Sequence, residues 1–278
     1  MFRVCEKLFC DLRGVKCAKL KAMNDWFLQA NRLVDAGSAR CGVFAAVAAA
    51  ALSFNPGAGR AAETTRYRTE IRTPSGDKKL YDGETVQTQD AGLTKRRTWF
   101  RRGADVVASS EVVFRSDTLR LESYAQDDFV CGQRARIQRE GDTLVLRFAD
   151  KPGAAEDVTR FDDSAGKLSA GSLAMDAILR QWADMEAGRE ARFEMIVSEK
   201  GFHVPFISGA PERVKAMGRD AVRVRVKTSS WLLRIFAPEV VFTFAAAAPH
   251  EPLEVFAPTI VRDSSCDLVR GTTILERL

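Results

Sequence analysis

Past residue 61 the side chains best suited to chemistry are Cys131, Cys266, His203 and His250. Cys266 beside either histidine would make a thiol nucleophile with its base, but no local signature surrounds these residues. The sequence contains no GxSxG, HExxH, Walker or dinucleotide fingerprint. None of its six cysteines forms a CxxC pair and only two histidines are present, so a zinc site of the usual spacing is unsupported. Asp184 and Glu186 stand two apart on a helix pattern and do not face one another. Asp162 and Asp163 lack the further spaced oxygens that a hard cation needs. The expectation is therefore a non-enzymatic chain without cofactor or metal. In an oxidising compartment Cys131 and Cys266 read as one disulfide joining distant parts of the fold. Two free thiols, or the thiol nucleophile, are the alternatives.

Binding residues are sought instead among the apolar side chains. From Ser172 to Gly188, the residues Met175, Ile178, Leu179, Trp182 and Met185 fall at helical spacing and make one apolar stripe. Ser172 is placed as N-cap, Asp176 lies near the positive end of the dipole, and Gly188 supplies the stop. A second apolar stretch, residues 229–244, holds Trp231, Leu233, Ile235, Phe242 and Phe244, broken by Arg234, Pro238 and Glu239. Those charges argue against a membrane span, and the stretch reads as two strands joined at 237–239. Ordinary core packing is the default reading of these side chains, and Met175, Ile178, Trp182, Trp231, Ile235 and Phe242 are the candidate set should the wall meet an apolar ligand. Trp99 among Lys95, Arg96, Arg97, Arg101 and Arg102 suggests a nucleic-acid stacking platform, weighed against a solvated strand face carrying one core tryptophan.

Charge favours the second of those. Residues 1–61 hold nine of the 42 Lys and Arg but four of the 37 Asp and Glu, which leaves 33 of each sign in the remainder. The net +5 thus belongs to the leader, and a neutral remainder gives no support to nucleic-acid binding. Inside the leader, Cys41 to Phe54 is an apolar run of signal-peptide length preceded by Arg32 and Arg40, and it ends at Asn55-Pro56-Gly57. Small residues at Gly59 and Ala61 predict cleavage before Ala62. The run is shorter than the roughly 20 residues of a spanning helix, so no permanent membrane span is expected after cleavage. Met23 is an alternative start, because some 40 residues before the run is long for a signal. The expected location is periplasmic or secreted.

The elements that must position the candidates are strands. Period-two patterning begins at Thr64, where Tyr67, Thr69 and Ile71 alternate with charged residues. Further strands are read at 79–89, 93–102, 106–115, 118–124, 133–139 and 143–148, with turns every 8–14 residues. Residues 151–166 read as a loop. After the helix, strands are read at 192–199, 213–217 and 221–228, with 205–211 irregular. The predicted fold is mainly β: a curved antiparallel sheet, an open or half barrel, wrapped around one central amphipathic helix. It occupies residues 62–278 behind the signal segment.

This arrangement resembles the half-barrel of the periplasmic lipoprotein localisation factors and related exported domains. The likeness runs from Asp176-Ala-Ile-Leu-Arg-Gln-Trp182 through Glu186-Ala-Gly-Arg189 into Phe193–Val197, and continues in Gly218–Val226, Trp231 and Pro238. It is architectural and carries no ligand residue over. It implies a concave face that holds an acyl chain beneath a helical lid. The expectation is an exported, non-enzymatic domain whose partner is a lipid, another apolar small molecule or a lipidated envelope protein. A structural envelope-assembly module with a filled core is the alternative, and a thiol hydrolase the third reading. A cavity beside the Trp182 stripe separates the first two.

Overall fold

The computed structural model describes residues 62–230 and 239–278. The segment read as a signal peptide, Met23, Trp231, Ile235 and most of the first of the two strands read in residues 229–244 lie outside the described residues.

Among the described residues, sixteen strands form one sheet in a near-continuous meander. They are β1 (Glu63–Arg72), β2 (Lys79–Asp90), β3 (Leu93–Arg102), β4 (Asp105–Arg115), β5 (Leu121–Asp128), β6 (Arg134–Glu140), β7 (Thr143–Ala149), β8 (Asp157–Asp162) and β9 (Leu168–Ser169) before the helices. After them come β10 (Arg192–Val197), β11 (Phe202–Ser208), β12 (Glu212–Ala216), β13 (Arg219–Thr228), β14 (Val240–Ala245), β15 (Pro252–Arg262) and β16 (Leu268–Arg277). Every pairing is antiparallel except the two-residue contact of β9 with β10. The first and last strands, β1 and β16, pair in the middle of the sheet, so its two free ends are β8 and β9.

Those ends meet without pairing. Register partners in an antiparallel ladder point to the same side, so one face can be followed strand by strand. Val224, Phe242, Val255, Thr273, Ile71 and Tyr81 are successive partners and share the inner face. Phe161 of β8 shares a face with Leu144, and it packs edge-on to His203, 6.0 Å between centroids. His203 pairs with Ile196, on the side of β10–β11 opposite Phe193 and Phe206. Ile196 and Leu168 join Phe114, Tyr124, Ile137, Leu146 and Phe161 in one cluster. The sheet is therefore a curved roll that is not closed, with β9–β11 tucked under β5–β8. Covering an edge in this way removes part of the hazard that an exposed edge presents.

Several expected elements change. The single helix is two: α1 (Leu173–Arg180) and α2 (Trp182–Glu186), separated at Gln181. Gln181 leaves the α-helical path because its side chain serves β10: Nε2 donates to the Arg192 carbonyl at 3.1 Å, and Oε1 accepts the Arg192 N–H at 2.9 Å. Ser172 makes no side-chain cap bond. Gly188 does terminate α2, with a left-handed φ of 80°. The loop read at 151–166 contains β8, whose six residues pair with β7; its polar composition hid an end strand with one ladder neighbour. The segment read as irregular at 205–211 contributes to β11. There Pro205, which has no N–H to donate, stands where the β13 ladder stops at Phe206. Patterning assigned nothing past Phe244, yet β15 and β16 complete the roll there.

Candidate functional site

Four of the candidate ligand residues come together. Met175, Ile178 and Trp182 from the helices and Phe242 from β14 belong to one buried cluster with Phe193, Phe206, Val224 and Phe244. Trp182 is 7% exposed. It stacks on His250 at 4.1 Å, meets Phe244 edge-on at 5.5 Å, and donates its indole N–H to Glu186 Oε1 at 3.0 Å. The stripe is thus occupied by the protein's own side chains. Cys131 and Cys266 are joined as a disulfide across 135 residues, with 5.8 Å between Cα atoms. Neither histidine lies in a described contact with them: His250 is stacked on Trp182, and His203 pairs with Glu194 at 2.8 Å. Among the described residues no cluster of His, Cys, Asp and Glu is arranged to hold a metal ion, and no helix is long and apolar enough to cross a membrane.

Beyond the stripe, the inner face keeps surface uncovered. Met195 and Val197 of β10, Val240 of β14, and Val255 and Ala257 of β15 share the inner side with fully buried neighbours, yet remain partly exposed. An apolar wall therefore faces the interior without complete protein cover.

Across the sheet the inner wall is polar. Tyr67, Thr85, Thr98, Ser110 and Gln126 are successive register partners on β1 to β5 and form one row. Thr85 and Thr98 share a hydroxyl hydrogen bond of 2.8 Å, and Tyr124 donates to Gln126 Oε1 at 2.7 Å. One level above, Thr69, Gly83, Phe100 and Ala108 pack tightly. A Cβ on Gly83 would stand 2.5 Å from Thr69 Oγ1 and 2.6 Å from the Trp99 carbonyl, so only glycine fits that close approach.

Below the row lies Arg96, which sequence reading placed on a solvated basic face. Its parity on β3 matches Phe100, so it points inward and is 8% exposed. The guanidinium forms a two-pronged contact with Asp176 of α1, at 2.8 and 3.0 Å. Its remaining donors reach Gln87 Oε1 at 2.9 and 2.7 Å and the Ser172 carbonyl and hydroxyl at 3.2 Å. Burial alone would lower the Arg96 pKa, but the charge and hydrogen bonds of Asp176 outweigh it and raise the value. Asp176, expected only to complement the helix dipole, in fact fastens α1 to the opposite wall.

Burial raises the Tyr67 phenol, assisted by the charge of Glu251, and it raises the Tyr124 phenol, assisted by Glu199. Both phenols are therefore neutral in the folded protein at neutral pH. A folded pKa above the unfolded value contributes stability that is full below pH about 10 and is lost as pH rises through the folded value. The urea midpoint should accordingly fall above pH 10, and Tyr124→Phe should flatten that fall. An equally steep decline in the variant would contradict the assignment.

No protein-family model matches the chain, and neither does any curated protein. Among solved structures it is similar to the crystal structure of a beta-barrel-like protein of domain of unknown function DUF1849 from Brucella abortus. The two share 12% identity at a TM-score of 0.43, covering 77% of this chain and 94% of that one. A likeness this remote identifies neither a family nor a function.

Proposed function

We propose that this is an exported, non-enzymatic domain that holds an apolar ligand, a lipid or lipidated partner, against the inner face of the roll. The carrying observation is the incompletely covered apolar wall of Met195, Val197, Val240, Val255 and Ala257. Inner positions of a filled β core are normally buried throughout, whereas ligand sites are concave and mostly apolar. The disulfide supports an oxidising location. A second reading, an envelope-assembly module with a filled core, draws on the burial of the Trp182 stripe among its own neighbours. Native mass spectrometry of the protein purified from an exporting host separates them. A co-purified apolar species, lost on solvent extraction and recovered on adding lipid back, is the expected result. A bare chain that takes up no lipid would remove the carrier reading and favour the filled module.

A further inference from the structure

We propose that the row Tyr67–Thr85–Thr98–Ser110–Gln126 selects the ligand's head, and that this head is uncharged and rich in hydroxyl groups. The inference rests on the binding reading above and sharpens it to an amphiphile with an apolar tail and a neutral polyhydroxyl group.

Composition is the first argument. Five adjacent strands each place a hydrogen-bonding side chain at one level of the inner wall. The flanking levels mix polar with apolar side chains, Thr69, Phe100, Ala108 and Asp128 above and Gln87, Arg96, Val112 and Tyr124 below, but there Arg96, Gln87 and Asp128 are hydrogen-bonded within the protein. A row serving only to fill the core would carry apolar side chains or pair its polar groups in the same way, because each buried polar group costs free energy unless paired. Tyr67, Thr98, Ser110 and Gln126 stay partly exposed, so they are reachable from within. Among the described residues the hydroxyls of Tyr67 and Ser110 have no protein hydrogen-bond partner, and neither is sealed from solvent. With Tyr124 on its Oε1, Gln126 has its amide N–H groups left to donate.

Charge is the second. The five row residues hold no ionised side chain, and Arg96 beside them spends its donors on Asp176, Gln87 and Ser172. Glu251, whose charge helps raise the Tyr67 phenol, lies 3.5 Å from Arg219 through one oxygen, while its other, buried oxygen has no hydrogen-bond partner. Arg277, the other register partner of Tyr67, stands at the solvent-exposed end of the row. A charged head lying along Thr85, Thr98, Ser110 and Gln126 would lose its hydration and meet no counter-charge within the row. Hydroxyl groups, each both donor and acceptor, match a row of hydroxyls and an amide. Four inter-strand gaps of about 4.8 Å extend the row over roughly 19 Å along the curved wall, room for more than one contact per head group. The apolar wall of β10 and β14–β15 takes the tail.

The test uses the full chain with dodecyl maltoside below its micelle-forming concentration, compared with dodecanoate and with free maltose by titration calorimetry. The maltoside should bind at least about 10-fold more tightly than dodecanoate. Ser110→Ala should weaken the maltoside by about 3- to 10-fold, the scale of one lost hydrogen bond, and leave dodecanoate unchanged. Thr98→Val, which keeps the side-chain shape, is the second variant, and unchanged thermal melting shows that either is folded. Equal binding of both amphiphiles, or a maltoside affinity unmoved by both variants, overturns the row as selector while the apolar wall stands. Binding of maltose as tight as the maltoside supports the row and removes the tail's role. Failure of every probe overturns both proposals.

Discussion

Replacing Arg96 with leucine lowers stability by about 3–5 kcal/mol, the cost of breaking a buried ion pair from one side. The guanidinium ties β3 to α1, whose Arg180 also donates to the Asp117 and Thr118 carbonyls between β4 and β5. Its removal strands the Asp176 carboxylate in a site where only 21% of that side chain reaches solvent, and leaves Gln87 Oε1 without its donor. Leucine matches the stem in volume, so lost packing contributes little. Pairing the change with Asp176→Leu should restore much of the loss, because two apolar residues remove the stranded charge. The urea midpoints of the two single variants and the double variant measure this, with Trp182 fluorescence following the helices. A double variant as unstable as Arg96→Leu alone would show that the pair is not the source. Asp176→Asn keeps one acceptor for the two guanidinium donors and leaves the Arg96 charge without its partner, so it too should lower the urea midpoint.

The same residue shows where sequence reading stops. Within Lys95-Arg96-Arg97 three cations in succession look alike, and a period-two strand must turn one of them inward. Which one depends on register with β2 and β4, set by pairings such as Arg96 with Gln87 and Val112. Nothing within the segment announces it. The curved antiparallel sheet was legible because most strands alternate visibly, as Val222, Val224 and Val226 do against Arg223, Arg225 and Lys227 in β13. The helical stripe was legible for a similar reason, since its spacing is local. The break at Gln181 was not, because its cause is Arg192, eleven residues on. Polar inner positions were the hardest to read. Thr85, Thr98 and Ser110 look like solvent-facing residues of any strand, and only the ladder shows that they form one row on the concave side. Burial of Met175, Ile178, Trp182 and Phe242 was expected in kind, but the aromatic stack of His250 on Trp182 depends on a loop far along the chain.

Breaking the Cys131–Cys266 link, by reduction or by Cys131→Ser with Cys266→Ser, should cost about 3–5 kcal/mol. Closing a loop of 135 residues gives about 5 kcal/mol in a chain-entropy account, with measured values usually smaller. The position of the link makes a local prediction as well. The β1–β16 ladder joins the two halves of the sheet on one side by hydrogen bonds. On the other side the ends overlap through side chains, and the disulfide ties the loop after β5 to the loop between β15 and β16. Arg262 reinforces that point. Its guanidinium contacts Glu199 and the Cys266 carbonyl and lies 3.8 Å from Asp128, whose carboxylate accepts the N–H groups of Val130 and Cys131 at 3.0 and 3.2 Å. Once the covalent link is gone, these polar contacts and the packing of Val107 and Ala108 with Val261 hold that end together. Hydrogen exchange should then accelerate first in β8 and in β10–β11, where the overlap has no ladder of its own, while β1 and β16 keep their protection. Peptide mapping of the oxidised protein should recover a peptide pair joined through Cys131 and Cys266. Two unlinked peptides, or a urea midpoint indifferent to reductant, would remove the clamp and leave side-chain packing to hold the roll shut.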